Sequence, residues 1–229
     1  MSATAAAIKR CFILDRSGSM ANMIDDTIGG FNAFIDAQKS LGGTMSLYLF
    51  DNEFDVVYED MPIEQVQNLT KQTFVPRGST ALHDAVGKVI INVGKQIMTG
   101  PVDINIIIMT DGHENTSRKY TSDHIKDLIE IHTKLGWNFM YMGANQDSIL
   151  EAGKMGINSD NTLDFDVNTV QDAMRSVSHV LRQQSQGTPT TLRQSNTPYY
   201  QQHDQNTPYN LINRLQELPM DSASSLKLF

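Results

Sequence analysis

Residues 8–20 have the sequence IKRCFILDRSGSM, and this stretch decides the fold. Residues 8–14 form a nearly continuous apolar run, which predicts a central strand buried on both faces of a sheet. The polar segment from Asp15 to Met20 follows the run directly and predicts a loop at the carboxyl end of that strand. Because ligands of open α/β sheets bind at this edge, the loop is the first candidate for a functional site.

Apolar runs of strand length alternate with amphipathic stretches of helix length along the chain. This alternation is typical of a mostly parallel sheet with helices on both faces. Further strands are predicted at residues 45–50, 54–58, 102–109, 137–142 and 162–165, and helices at residues 23–39, 80–98, 122–135, 147–155 and 167–184, with a short helical turn at 62–69. The polar link 51–53 predicts a hairpin whose second strand lies antiparallel at an edge.

The composition of the 229 residues argues against several classes of protein. The single cysteine, Cys11, has no partner for an intramolecular disulfide, and its apolar surroundings predict a buried side chain. The net charge is −8 and Lys/Arg clusters do not exceed a pair, so nucleic acid and anionic membranes are poor partners. Residues 1–7 do not resemble a signal peptide, and no stretch approaches the roughly 18 apolar residues of a membrane span. We expect a cytoplasmic protein.

The composition changes near Ser185, where Gln, Asn, Thr, Ser and Pro become dominant. This change divides the chain into one domain, residues 1–184, and a polar C-terminal tail, residues 185–229. The tail contains a short amphipathic segment at 210–218 and offers aromatic and leucine anchors at Tyr199, Tyr209, Leu211, Leu215 and Leu218. Two hypotheses remain open: the tail docks on another protein, or it folds back on its own domain.

Three polar loops contain the candidate metal ligands. The first offers Asp15, Ser17 and Ser19, the second offers Thr80 at the start of a helix, and the third offers Asp111 after the strand 102–109. Taken singly, these side chains also suit turns and a helix N-cap. If the strands 8–14 and 102–109 are neighbours, the loops converge and bring two carboxylates and three hydroxyls around one point. All five are hard oxygen donors, which favours Mg2+ or Mn2+ over zinc.

A carboxylate from a partner protein is the natural completion of such a site. Mg2+ takes six oxygens at about 2.0–2.1 Å and usually retains water among them. Five protein groups therefore leave room for water or for an exchangeable ligand. A carboxylate adds negative charge where the hydroxyls add none, so we expect a partner that offers Asp or Glu.

The three loop motifs resemble a known site. Asp-x-Ser-x-Ser at 15–19, Gly-x-Thr-x-Leu at 78–82 and Thr-Asp-Gly at 110–112 resemble the metal-ion-dependent adhesion site (MIDAS) of von Willebrand factor type A (vWA) domains. The resemblance covers residues 6–184 and is closest to the stand-alone intracellular members of bacteria and phages. It implies a virion-associated protein if the chain is of phage origin. It implies a doubly wound, Rossmann-like α/β fold whose six-stranded sheet has the order 3-2-1-4-5-6 with strand 3 antiparallel. It also implies magnesium as the metal and a partner Asp or Glu in the metal shell.

The leading functional hypothesis is a metal-dependent protein-binding module within a multiprotein assembly. An alternative is a structural component of a phage particle or another complex that docks mainly through its tail. A metal-assisted phosphohydrolase is disfavoured, because Ser17 stands where a second Asp would be needed and no Gly-rich phosphate loop with Lys-Ser/Thr is present. We therefore predict no enzymatic activity. Other polar residues expected around the site, as rim groups or as groups behind the ligands, are Asp51, Asn52, His113, Glu114, Asn145 and Gln146.

Overall fold

Six strands form one sheet in a computed structural model that describes residues 7–96, 102–144 and 148–195. The strands are β1 (Ala7–Asp15), β2 (Thr44–Phe50), β3 (Phe54–Pro62), β4 (Val102–Thr110), β5 (Asn138–Ala144) and β6 (Thr162–Phe165). Their order is β3-β2-β1-β4-β5-β6. Only β3 runs antiparallel to its neighbour among these strands, and the other four pairs are parallel. The predicted fold class and strand order are confirmed.

Helices cover both faces of this sheet. They are α1 (Ile24–Lys39), α2 (Leu82–Gln96), α3 (Ser122–Lys134), α4 (Ser148–Lys154), α5 (Val170–Ser185) and the short α6 (Leu192–Ser195). Helix α1 packs against α5, and α2 packs against α3. Phe12 of β1 contacts Phe31 and Phe34 of α1 edge-on, at ring-centroid distances of 5.3 and 5.6 Å. Its neighbours Cys11 and Ile13 belong to the core on the α2 and α3 side, so β1 is buried on both faces as predicted.

Some predicted element boundaries differ from the observed ones. The last long helix was predicted from residue 167 but begins at Val170, because Asp166 and Thr169 form a local turn first. The Asp166 N–H donates to Thr169 Oγ1 at 2.8 Å, and Asp166 Oδ1 accepts from the Asn168 N–H at 2.8 Å. The predicted turn at 62–69 reduces to a 3-10 turn at Ile63–Gln65, and β3 continues four residues beyond its predicted end.

The outer strand β3 is irregular along its length. Its pairing with β2 shifts register twice, between Met45 and Leu47 and between Leu47 and Tyr48. Asp60 lies in the left-handed region with φ 52°. Its carboxylate accepts hydrogen bonds from Lys9 Nζ at 2.8 Å and from Thr44 Oγ1 at 2.7 Å. The strand therefore follows a bulged rather than a straight path before it pairs again with β2 at Met61 and Pro62.

The chain continues past α5 in a packed segment. Leu192 of α6 is fully buried, and Gln184 Nε2 donates to the Thr190 carbonyl at 3.1 Å. Residues 186–195, which we assigned to the tail, thus include a short helix beside α5. The proposed tail anchors, including Tyr199 and Leu211, lie outside the described residues. Within the described residues, every helix is too short or too polar to cross a membrane.

Candidate metal centre

The first loop begins where β1 ends. Asp15 is the last residue of β1, is fully buried, and its Oδ1 accepts a hydrogen bond from the Ser17 N–H at 2.6 Å. This bond makes the chain turn at once, and a 3-10 turn from Gly18 to Met23 follows. Ser17 is buried, whereas Ser19 is exposed at the open side of the loop. The three predicted ligands of this loop therefore lie in order from the buried end of β1 to the solvent-exposed side of the loop.

The second loop lies directly against the first. The Gly18 N–H donates to the Gly78 carbonyl at 3.1 Å, which joins the two backbones. Gly78 has φ 68°, and a Cβ at this position would lie 2.0 Å from Asn52 Oδ1. A side chain is therefore excluded at Gly78 by both conformation and contact. Two residues later, Thr80 is buried. The helix α2 begins at Leu82 rather than at Thr80 as predicted.

The third loop joins the first through hydrogen-bonded side chains. β1 and β4 are paired with Leu14 opposite Met109, so Asp15 and Thr110 are the next residues on the two strands. Thr110 Oγ1 donates to Asp15 Oδ2 at 2.5 Å. On the following residue, Asp111 Oδ1 accepts from Ser19 Oγ at 2.6 Å. The two central strands thus place Asp111 against the first loop, which itself contains Asp15.

The three predicted hydroxyls meet around Gly112. Ser17 Oγ and Ser19 Oγ are 3.0 Å apart. A Cβ placed on Gly112 would lie 3.0 Å from Thr80 Oγ1, 3.5 Å from Ser19 Oγ and 3.9 Å from Ser17 Oγ. The absence of a side chain at Gly112 therefore leaves a small space that is bordered by hydroxyls from two separate loops. The structure brings all five predicted ligands together.

The surroundings of Asp15 and Asp111 disfavour the charged form of both carboxylates. Burial raises the pKa of Asp15 to about 6, and nearby Asp111 adds to the shift, although hydrogen bonds from Thr110 and Ser17 oppose it. Burial also raises the pKa of Asp111, against the hydrogen bond from Ser19. A dication between the loops would favour the ionised forms of both groups.

The donor chemistry of this site fits a hard divalent cation. Its five side chains offer carboxylate and hydroxyl oxygens, which suit Mg2+ and Mn2+ better than zinc. In the described part of the chain, no three His, Cys, Asp or Glu side chains are arranged to hold a metal. A metal here would therefore depend on the serine and threonine hydroxyls as well as on Asp15 and Asp111.

The residues expected at the rim have different surroundings. Asp51 is fully buried and is bonded to two arginines, and Asn52 lies against Gly78. Glu114 accepts hydrogen bonds from the backbone N–H groups of His83, Thr116 and Ser117 at 2.7–2.9 Å. His113 is exposed, and its Nδ1 lies 3.7 Å from Glu151 Oε1. Asn145 and Gln146 lie outside the described residues.

Several residues that support the site were not singled out from the sequence. Asn115 Oδ1 accepts the Thr80 N–H at 3.0 Å, and the Asn115 N–H donates to the Thr80 carbonyl at 3.0 Å. Asp84 of α2 accepts backbone N–H bonds from residues 118–120 at 2.8–2.9 Å. Both contacts fasten the loop after β4 to the start of α2. Their only sequence signal is an Asx side chain, in a loop for Asn115 and near a helix start for Asp84, which also occurs in ordinary caps and turns.

Comparison with known proteins gives matches at the level of structure. No protein-family model matches the sequence, and no curated protein matches it. Similar solved structures include the mussel byssus protein PTMP1 with a zinc-occupied MIDAS motif, with a TM-score of 0.57 and 15% identity over 77% of this chain and 46% of that one. This chain thus spans under half of the mussel protein.

Two further structures extend the comparison. The vWF domain of the type V pili tip protein Mfa5 from Porphyromonas gingivalis has a TM-score of 0.61 and 10% identity, over 79% of this chain and 96% of that one. Manganese-loaded TRAP protein from Plasmodium vivax has a TM-score of 0.54 and 16% identity, over 73% of this chain and 72% of that one. At such identities the likeness shows the fold alone. The strand order, the antiparallel third strand and these neighbours together show that the chain has the fold of a von Willebrand factor type A domain.

Proposed function

We propose that this chain binds one divalent cation, Mg2+ or in second place Mn2+, and uses it to hold a carboxylate of a partner protein. The ligands would be Asp15, Ser17, Ser19, Thr80 and Asp111. The observation that carries the proposal is the meeting of three hydroxyls around Gly112 beside two buried carboxylates. The zinc-occupied MIDAS of the mussel protein and the manganese-loaded TRAP protein support a divalent metal on this fold.

The exposure of the site supports an external ligand. Asp15 and Ser17 lie at the buried end, whereas Ser19 is exposed and Gly112 is partly exposed. A metal held by these groups would face solvent on the Ser19 side. Because Mg2+ takes about six oxygens, five protein groups leave at least one position for water or for a partner carboxylate.

The surroundings of Asp15 favour binding over catalysis. A phosphoryl acceptor must expose a carboxylate oxygen to a bulky substrate, whereas a metal ligand needs only one remaining lone pair on such an oxygen. Asp15 Oδ1 accepts from the Ser17 N–H and Oδ2 accepts from Thr110 Oγ1, and the residue is fully buried. We therefore propose a binding module rather than a phosphohydrolase. Membership of a multiprotein assembly and a cytoplasmic location remain predictions from the sequence.

The test is retention of partners from native lysate by the full chain in Mg2+ and in EDTA. Asp111→Asn removes one predicted ligand charge without changing side-chain size. Asp103→Asn is the matched control, because Asp103 is an exposed residue at the other end of β4. The two positions are eight residues apart, which is about 26 Å along a strand. Calorimetric titration of each protein with Mg2+ accompanies the retention assay.

We expect wild type and Asp103→Asn to retain a partner in Mg2+ and to lose it in EDTA. Asp111→Asn should not retain this partner in either condition. Calorimetry should then show Mg2+ binding to the first two proteins only. Retention of the same partner in EDTA by all three proteins would contradict a metal bridge. In that case, truncation after Ser195 shows whether the tail makes the contact.

A further inference from the structure

Five charged side chains form a connected group behind the proposed metal loops. Arg16 stands between the ligands Asp15 and Ser17 in the first loop, and Arg77 precedes Thr80 in the second. The hairpin between β2 and β3 supplies three acidic residues. We call the group the arginine clamp, and its members are Arg16, Asp51, Glu53, Asp55 and Arg77.

Asp51 is the centre of the arginine clamp. It is fully buried, and its Oδ2 accepts hydrogen bonds from Arg16 Nε at 2.8 Å and from Arg77 Nε at 3.0 Å. Its Oδ1 accepts the Glu53 N–H at 2.5 Å. One carboxylate thus holds an arginine from each of two separate metal loops.

The outer acids and the backbone complete the connection. Arg16 Nη2 lies 2.6 Å from Asp55 Oδ2, and Arg77 Nη2 lies 2.5 Å from Glu53 Oε2. The Arg77 N–H donates to the Arg16 carbonyl at 2.8 Å. The first loop, the second loop and the hairpin are therefore tied by charged and by backbone hydrogen bonds at the same place.

The energetics of such a group indicate that it fixes the positions of the loops rather than stabilising the fold. Transfer of charges from water to the interior costs several kcal/mol per ion, and mutual attraction only roughly offsets this cost. A buried carboxylate between two guanidiniums is therefore weak evidence for stability. Its directed hydrogen bonds do fix the relative positions of the segments that carry Arg16 and Arg77. These segments also carry the hydroxyls of Ser17, Ser19 and Thr80.

We propose that Asp51 is a positioning residue for the metal site, acting through Arg16 and Arg77. It sets the separation of the two loops, so that their hydroxyls define a space that suits Mg2+ better than Ca2+. Mg2+ requires near-octahedral oxygens at about 2.0–2.1 Å, whereas Ca2+ accepts six to eight oxygens at about 2.3–2.6 Å in flexible geometry. A rigid clamp therefore favours the smaller ion. This inference rests on the proposed metal site.

The direction in which one substitution changes the Mg2+ affinity distinguishes positioning from simple electrostatics. Arg77→Gln removes a positive charge near a cation site, so charge alone predicts tighter metal binding. Positioning predicts the opposite, because the second loop loses its bond to Asp51. Arg77 is half exposed, so this change is compatible with a folded protein. Lys71→Gln is the control, since it also removes a positive charge but breaks only an exposed pair with Asp25.

The experiment is calorimetric titration of the full chain with Mg2+ and, separately, with Ca2+. The proteins are wild type, Arg77→Gln, Asp51→Asn and Lys71→Gln, each checked for folding by urea denaturation. Arg77→Gln and Asp51→Asn should weaken Mg2+ binding by about tenfold or more, the range found for groups behind metal ligands. Ca2+ binding should change much less, so the Mg2+/Ca2+ preference falls. Lys71→Gln should leave that preference unchanged.

Each outcome decides one of the two proposals. If Arg77→Gln binds Mg2+ as tightly as wild type or more tightly, with an unchanged preference over Ca2+, the positioning role is wrong and the metal site stands. If wild type binds neither ion, the metal site itself is wrong and the inference falls with it. If Asp51→Asn does not fold, the comparison of Arg77→Gln with Lys71→Gln remains decisive.

Discussion

Replacement of Asp15 by asparagine should stabilise the metal-free protein at neutral to alkaline pH. Folding raises the pKa of this carboxyl from the ordinary value of 3.8 to about 6, mainly through burial. Between these values the folded state binds the proton more tightly than the unfolded state, so stability falls as the pH rises from about 4 to about 6. Two pKa units correspond to about 3 kcal/mol of unfolding free energy. Above pH 6 the buried charge therefore destabilises the fold by that order.

The Asp15→Asn side chain can make the same contacts without the charge. Its carbonyl oxygen can accept the Ser17 N–H, and its amide can donate to Thr110 Oγ1. The Thr110 hydroxyl already lies 3.1 Å from the Gly112 carbonyl, which can accept its proton. In EDTA at pH 8 we expect the variant to be more stable than wild type by up to about 3 kcal/mol. At pH 4 the difference should largely disappear.

Magnesium should change this comparison at pH 8. At a concentration 100 times its dissociation constant, a ligand of the folded state stabilises by about 2.7 kcal/mol. Wild type should gain this amount and Asp15→Asn much less. Urea denaturation followed by circular dichroism measures the unfolding free energy of both proteins. It is carried out at pH 4 and at pH 8, each in EDTA and in Mg2+.

Two results would refute this reasoning. A variant that is less stable than wild type in EDTA at pH 8 would mean that the buried charge carries no net cost. An equal gain from Mg2+ in both proteins would mean that Asp15 does not contribute to the metal site.

Two further substitutions test the loops around the site. Gly112→Ala adds a methyl group 3.0 Å from Thr80 Oγ1. We expect the Mg2+ affinity measured by calorimetry to fall at least about tenfold, while the unfolding free energy changes by about 1 kcal/mol or less. Unchanged affinity would contradict a metal at this point. Asp84→Asn leaves one oxygen to accept three backbone N–H groups; the loss in urea denaturation should be about 1–3 kcal/mol at pH 7. Burial opposes the charged form of Asp84, but the backbone bonds lower its pKa, so the loss should shrink as the pH falls below about 4; a loss that does not depend on pH would argue against these bonds as its cause.

The parts of the fold that follow from side-chain pattern were predictable from the sequence. The apolar run before Asp15 and the run before Thr110 predicted two buried strands, and two such strands bring their following loops together when they are neighbours. The structure pairs them. The first turn of the last helix was not predictable in this way. Val167 fits the helical pattern, but the Asp166 turn competes locally for the backbone and delays the helix.

The arginine clamp was also beyond sequence reasoning. Arg16 and Arg77 are 61 positions apart and lie in loops, where a charged side chain usually contacts water. Their shared partner, Asp51, was expected around the site, but the sequence did not indicate that two arginines contact it. Only the folded arrangement of three separate segments shows that its carboxylate is buried between two guanidiniums.

The irregular outer strand has a consequence for the behaviour of this protein at high concentration. A straight, uncharged edge strand can pair with the same strand of a second molecule and start aggregation. β3 instead changes register twice, bulges at Asp60 and exposes further carboxylates at Asp55 and Glu59. Two copies approaching edge to edge would meet mismatched backbone groups and like charges. We expect crowded molecules to remain separate along this edge.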